Sequence, residues 1–116
     1  MTTPKIYGIK NCDTMKKAFK WLESNNVIYD FHDYKKQGVD ENVLSKAIKD
    51  HGWEKVINKR GTTWRKLPED VKNAMDEKSA ILHAQENPSL IKRPLLVDGK
   101  NSLLGFDENS YKDALG

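Results

Sequence analysis

The feature that most restricts the fold is a change of hydrophobic period across residues 5–34. Lys5-Ile6-Tyr7-Gly8-Ile9 is a short apolar run of strand type. Beyond it, Met15, Ala18, Phe19 and Leu22 fall at helical spacing, with Lys16, Lys17, Lys20 and Glu23 on the other faces. Ser24-Asn25-Asn26 stops that helix. Val27-Ile28-Tyr29-Asp30-Phe31-His32-Asp33-Tyr34 then alternates through Val27, Tyr29 and Phe31, which predicts a second strand. Two strands joined by a helix must run parallel, because a hairpin has no room for the crossover, and the connection is right-handed.

The middle of the chain is helical in period. Lys35-Lys36-Gln37-Gly38 is expected to be a loop. Asp40 is an N-cap candidate for a helix carrying Val43, Leu44, Ala47 and Ile48, closed by Gly52. Trp53–Lys59 is expected as a short helix, broken by Arg60-Gly61-Thr62-Thr63, with one more turn over Trp64–Lys66. Pro68 suits the first turn of a helix with Val71, Ala74 and Met75. Ser79 is the cap candidate for another, which Asn87-Pro88 ends. The last third changes character. Residues 90–97 form an apolar strand ending at Asp98-Gly99, a hairpin signal, and residues 101–106 form the return strand. Asp107 caps a final helix through Tyr111, Ala114 and Leu115. The order β-α-β, helical block, β-β-α implies an α/β fold with one mixed sheet built from both ends.

Composition excludes several function classes. The net charge is +3 with seventeen acids interspersed among the bases, unlike a nucleic-acid-binding surface. No segment reaches the roughly 18 apolar residues of a membrane helix. His32, His51 and His83 lack metal-ligand spacing, and a single cysteine builds neither an internal disulfide nor a cysteine-rich zinc site. No phosphate-binding glycine loop is present. The three tryptophans are assigned to core and helix packing. Met1-Thr2-Thr3-Pro4-Lys5 precedes no long apolar run, so no signal peptide and a cytoplasmic location are expected.

Three positions carry candidate chemistry. Cys12 stands where turn becomes helix, in Asn11-Cys12-Asp13-Thr14. Unpaired N–H groups at a helix start favour the thiolate, the attacking form. Lys10 reinforces this and Asp13 opposes it; a small buried hydrophobe is the other reading of such a residue. Arg93 precedes Pro94 at the head of a strand. It is either a surface residue or, held extended by the proline, a side chain aimed in a fixed direction; such X-Pro bonds are also where cis isomers occur. Arg60, in Asn58-Lys59-Arg60-Gly61, is either a solvated basic helix end or a planar clamp for an oxyanion or carboxylate.

Taken together, the strand before Asn11-Cys12-Asp13-Thr14, the helical block, Asn58-Lys59-Arg60-Gly61, Ile91-Lys92-Arg93-Pro94-Leu95 and Asp98-Gly99 resemble the glutaredoxin-like arsenate reductase (ArsC) family, and within it the single-cysteine YffB branch of the Spx/YffB-like group. The resemblance implies a thioredoxin-like fold: one domain over 1–116, a four-stranded sheet and a helical insertion over about 40–88. It implies Cys12 as nucleophile, Arg60 and Arg93 lining an anion site, and Pro94 as a cis-proline. Lys10, Asn11 and Pro94 are then expected to contact glutathione. The chain departs from arsenate reductases of the family in two places. Leu103-Leu104-Gly105-Phe106-Asp107 has no third arginine, and Gly8-Ile9 stands where they carry a histidine. It departs from Spx regulators in having Met15 where a Cys-x-x-Cys switch needs its second thiol. The expected activity is a glutathione-dependent thiol/disulfide reductase, with no bound cofactor and glutathione as co-substrate. The alternatives are glutathione- and glutaredoxin-coupled arsenate reduction, and Spx-like binding of the RNA polymerase alpha subunit without catalysis. Neither direct nucleic-acid binding nor membrane association is expected.

Overall fold

A computed structural model describes residues 3–99 and 101–115; Met1-Thr2, part of the stretch bearing on a signal peptide, lie outside them. The chain divides into two compact units, 1–37 with 93–116, and 38–92.

The first unit holds β1 (Lys5–Gly8), α1 (Asp13–Ser24), β2 (Asp30–Asp33), α2 (Tyr34–Gln37), β3 (Leu95–Asp98), β4 (Asn101–Leu104) and α8 (Glu108–Leu115). Its sheet has the order β2-β1-β3-β4. β1 and β2 are parallel, as the crossover demands, and β3 is antiparallel to both β1 and β4. This is the thioredoxin-like arrangement. Met15, Ala18 and Leu22 lie on one face of α1 and are fully buried against Ile6, Leu96 and Tyr111. Each large apolar side chain so buried contributes about 1.5–3 kcal/mol, far more than helix propensity alone.

The second unit holds α3 (Glu41–His51), α4 (Trp53–Val56), α5 (Thr62–Arg65), α6 (Glu69–Asn73), α7 (Glu77–Glu86) and a 3-10 turn at Pro88–Leu90. The Asp40 carboxylate accepts the Asn42 and Val43 N–H groups at 2.8 and 3.3 Å, and Gly52 closes α3 with φ +88°. Leu44, Ala47 and Ile48 are the buried face of α3.

Several expected boundaries move, each for a local reason. β2 is four residues long, because it has only Lys5–Gly8 to pair with. Tyr34–Gln37, expected as strand end and loop, is a helical turn. The Asp33 carboxylate accepts the Lys35 N–H at 3.0 Å, and the Asp33 N–H donates to Gln37 Oε1 at 3.2 Å. α4 stops at Val56 because Ile57 bridges Ile91 and the Lys92 N–H donates to the Val56 carbonyl at 2.8 Å. Ile91 is thus paired within its own unit, and β3 starts at Leu95 rather than 90. Thr62 and Thr63 open α5 instead of breaking a helix. Pro68 is the N-cap of α6, and Met75 lies beyond its end. Asp76, not Ser79, caps α7. Ser79 is its reciprocal partner: the Ser79 N–H donates to Asp76 Oδ1 and the Asp76 N–H to Ser79 Oγ, both at 2.9 Å. The β3–β4 register pairs Asp98 with Asn101, so Asp98 belongs to the ladder rather than to the turn; Gly99 supplies a positive φ, +62°. β4 ends at Leu104, where Gly105 turns with φ +78° and donates its N–H to the Pro94 carbonyl at 2.8 Å.

Candidate functional site

Topology explains why distant segments meet at one end of the sheet. β1 runs towards the 9–12 loop, and β3 runs against it with Tyr7 opposite Leu95. Residues just before Leu95 therefore fall beside the loop that follows Gly8. That brings Arg93 to Cys12, although 80 residues separate them in sequence. Among the predicted site residues, Lys10, Asn11, Cys12, Arg93 and Pro94 belong to this unit and Arg60 to the other.

Cys12 is the N-cap of α1, with extended backbone (φ −123°, ψ 132°). Its carbonyl accepts the Lys16 N–H at 3.0 Å, so the residue is tied into the first helical turn. The thiol is part-buried and not disulfide-bonded. As a neutral group it makes no capping hydrogen bond of good geometry. Its charged form is nonetheless favoured. Burial pushes the thiol pKa up, but the Met15 N–H, the Arg93 side chain and the Thr14 N–H together outweigh it, and the pKa lies below the ordinary thiol value. The two N–H groups are the orphan donors of the helix start. The guanidinium adds both a hydrogen bond and a positive charge.

Pro94 is fully buried, and the Arg93–Pro94 bond is cis. Arg93 also bears electrostatically on Tyr34, a residue that sequence reasoning passed over as a strand end. Tyr34 is almost fully buried. Burial raises its hydroxyl pKa, Tyr7 raises it further, and Arg93 opposes both. The Tyr34 ring stacks on Tyr7 and meets His32 edge-on, at 6.3 and 5.9 Å between centroids. The signal available in sequence was three rings at residues 7, 32 and 34, two on adjacent parallel strands and the third just past the end of β2.

Arg60 lies exposed in the turn after α4, and its backbone N–H donates to Asn58 Oδ1 at 3.3 Å. The Gly61 N–H donates to the Asn58 carbonyl at 3.2 Å, and the Asn58 N–H to the Leu90 carbonyl at 2.7 Å, which anchors the turn within its own unit. Beside it, Lys59 Nζ sits over Trp53 and Trp64, 4.9 and 5.7 Å from their centroids, and pairs with Glu54 at 3.1 Å. These tryptophans thus flank a cation.

No group of three or more metal-ligating side chains occurs among the described residues, and none of their helices is long and apolar enough to cross a membrane. The arrangement at Cys12 is suited to nucleophilic attack by sulfur.

The ArsC family profile matches residues 7–114. This chain belongs to the ArsC family. A solved structure from the same group, the YFFB protein, is 49% identical, covers 98% of this chain and 100% of its own, and superposes with a TM-score of 0.95. An uncharacterised protein of Haemophilus influenzae is 49% identical over 94% of this chain and 96% of its own length. The global transcriptional regulator Spx of Streptococcus mutans is 28% identical over 88% of this chain and 75% of its own. ArsC family relatives of this chain thus include YFFB and Spx proteins, in keeping with the resemblance drawn from its motifs.

Proposed function

We propose that this ArsC-family chain is a one-cysteine thiol/disulfide reductase that uses glutathione. The observation that carries the reading is the Arg93 side chain set against the Cys12 thiol at the start of α1, which favours thiolate. The Cys12 thiolate attacks the glutathionyl sulfur of a mixed disulfide; the old S–S bond breaks, and the other thiolate leaves and takes a proton from solvent. The chain has one cysteine, so the resulting Cys12–glutathione disulfide is resolved from outside. A second glutathione thiolate attacks the glutathionyl sulfur, which restores Cys12 and releases oxidised glutathione. The balance is one mixed disulfide and one glutathione consumed, one thiol and one oxidised glutathione formed. Glutaredoxin is the other resolving agent. Lys10, Asn11 and Pro94 are assigned to glutathione, Arg93 to an anionic group of the substrate beside Cys12, and Arg60, in the other unit, to an anion on the strength of the family resemblance alone. A glutathione-reduced cytoplasm suits the free thiol.

The test is intact mass spectrometry after incubation with oxidised glutathione. One glutathione adduct is expected on the wild type and none on Cys12→Ser. An unmodified wild type overturns the reading. Membership of the ArsC family makes arsenate the next substrate to assay, with glutathione and glutaredoxin supplied; arsenate-dependent turnover would replace the disulfide as substrate.

Similarity to Spx favours a second reading, a regulator that binds the RNA polymerase alpha subunit without catalysis. Co-precipitation with the alpha C-terminal domain is its expected result, and no binding at high concentration of both proteins removes it.

A further inference from the structure

A groove of about 380 Å³ opens in the first unit, lined by Lys10, Phe19, Tyr29, Phe31, Asp33, Lys36 and Gln37. Three half-buried rings form its apolar wall. Phe19 and Tyr29 stack at 5.6 Å with 18° between planes, and Phe31 meets Phe19 edge-on at 5.0 Å. The inner edges of these rings pack on the core cluster that also receives Cys12. Lys10 lies two residues from Cys12, so their Cα atoms are at most about 7 Å apart. Two cations, Lys10 and Lys36, border the rings, and neither takes part in an ion pair among the described residues. Asp33 is the one acid of the lining, and its carboxylate is engaged by the Lys35 N–H in the turn of α2. The wall is thus apolar, the rim positive, and the nucleophile next door.

The geometry points to a subsite for the departing thiol: an aromatic or short aliphatic body that lies on Phe19, Tyr29 and Phe31 and carries a carboxylate towards Lys36, with Lys10 between it and the bound glutathione. The volume is at the lower end of small-molecule pockets, about 300–1,000 Å³, and has room for one ring with its substituents. This inference rests on the proposed reductase reading and names the class of substrate: mixed disulfides of glutathione with an apolar, carboxylate-bearing thiol. The covalent step is the one already balanced, with the groove holding the thiolate that leaves when Cys12 takes the glutathionyl group.

The experiment compares two probes, the glutathione mixed disulfides of 5-thio-2-nitrobenzoate and of 2-mercaptoethanol. The readout is the ratio of their kcat/KM values. The aryl carboxylate is expected to be preferred, and Lys36→Glu and Tyr29→Ser are each expected to lower the ratio about fivefold or more, since one exposed charge pair or one ring contact corresponds to roughly 1 kcal/mol. Lys112→Glu, the same charge change on α8 outside the groove, leaves the ratio as in the wild type. A ratio insensitive to both groove variants overturns the subsite; the wild-type preference by itself does not carry it, because the aryl thiolate is also the better leaving group. Binding of 2-nitrobenzoate, which has no sulfur, is followed in parallel by NMR of the Phe19, Tyr29 and Phe31 rings. Shifts at these rings without turnover of either probe defeat the reductase reading and with it the substrate class; turnover without shifts or preference defeats the groove alone.

Discussion

At Cys12 the balance is between burial, which favours the thiol, and the helix-start N–H groups with Arg93, which favour the thiolate and win. The folded pKa therefore lies below the unfolded one. The thiolate's extra stability is present above the unfolded pKa and is lost as pH falls through the folded value. The rate of alkylation by iodoacetamide should rise with a midpoint below the free-thiol value of about 8.5. Arg93→Met, checked for fold by circular dichroism, should move that midpoint upward; an unmoved midpoint removes Arg93 from the site. The sequence showed Cys12 at a helix start. It did not show Arg93 beside it, since a contact across the whole insertion leaves no local pattern and came instead from family resemblance. A second residue, Tyr111, was legible only as an apolar position of α8. It is fully buried, and its hydroxyl has no hydrogen-bond partner among the described residues. The Trp21 and Phe106 rings meet it edge-on at 5.6 and 5.0 Å, which holds the ring but not the hydroxyl. Burial accordingly raises its pKa. Tyr111→Phe keeps the ring packing and removes the desolvated group. It should stabilise by about 1 kcal/mol, raising Tm by about 3–6 °C in thermal melts.

Among the elements, β1 and α1 are joined through a glycine and a methionine. A Cβ on Gly8 would collide with Met15 Sδ and lie 2.7 Å from its Cε. Met15 is fully buried, so it has little room to yield. The residue that takes the place of a second thiol in α1 is thus the one that fills the space over Gly8. Gly8→Ala should cost about 1–3 kcal/mol, the usual range for overpacking, read as a lower denaturant midpoint at unchanged m. A midpoint equal to the wild type would mean that Met15 turns aside freely. Helix starts were readable wherever a polar side chain does the capping, as at Asp40, and misread where two residues share the task, as at Asp76 and Ser79. Strand lengths were overread. Alternation at Val27 and Tyr29 records which side chains face inward, while the ladder is limited by what β1 offers opposite. The helical turn at Tyr34–Gln37 had no periodicity to announce it, being held by two hydrogen bonds around Asp33.

On the scale of the whole molecule, the parallel pairing of β1 and β2 was readable because a helix between two strands permits little else. Element order implied one sheet shared by both ends of the chain, but not that β3 is the strand that pairs with β1. What the chain as a whole decides most firmly is how a reaction at Cys12 must end. With one cysteine among 116 residues, no internal thiol can attack a Cys12–glutathione disulfide. Its resolution is bimolecular at every stage. When the isolated adduct is mixed with glutathione at fixed pH and its loss is followed by mass, the observed rate constant should rise linearly at low glutathione and extrapolate to zero without it. An internal resolving step would instead give a rate independent of added thiol, and a finite intercept would therefore overturn the one-cysteine scheme. Raising the pH should steepen the line as more glutathione becomes thiolate, with no change in the intercept.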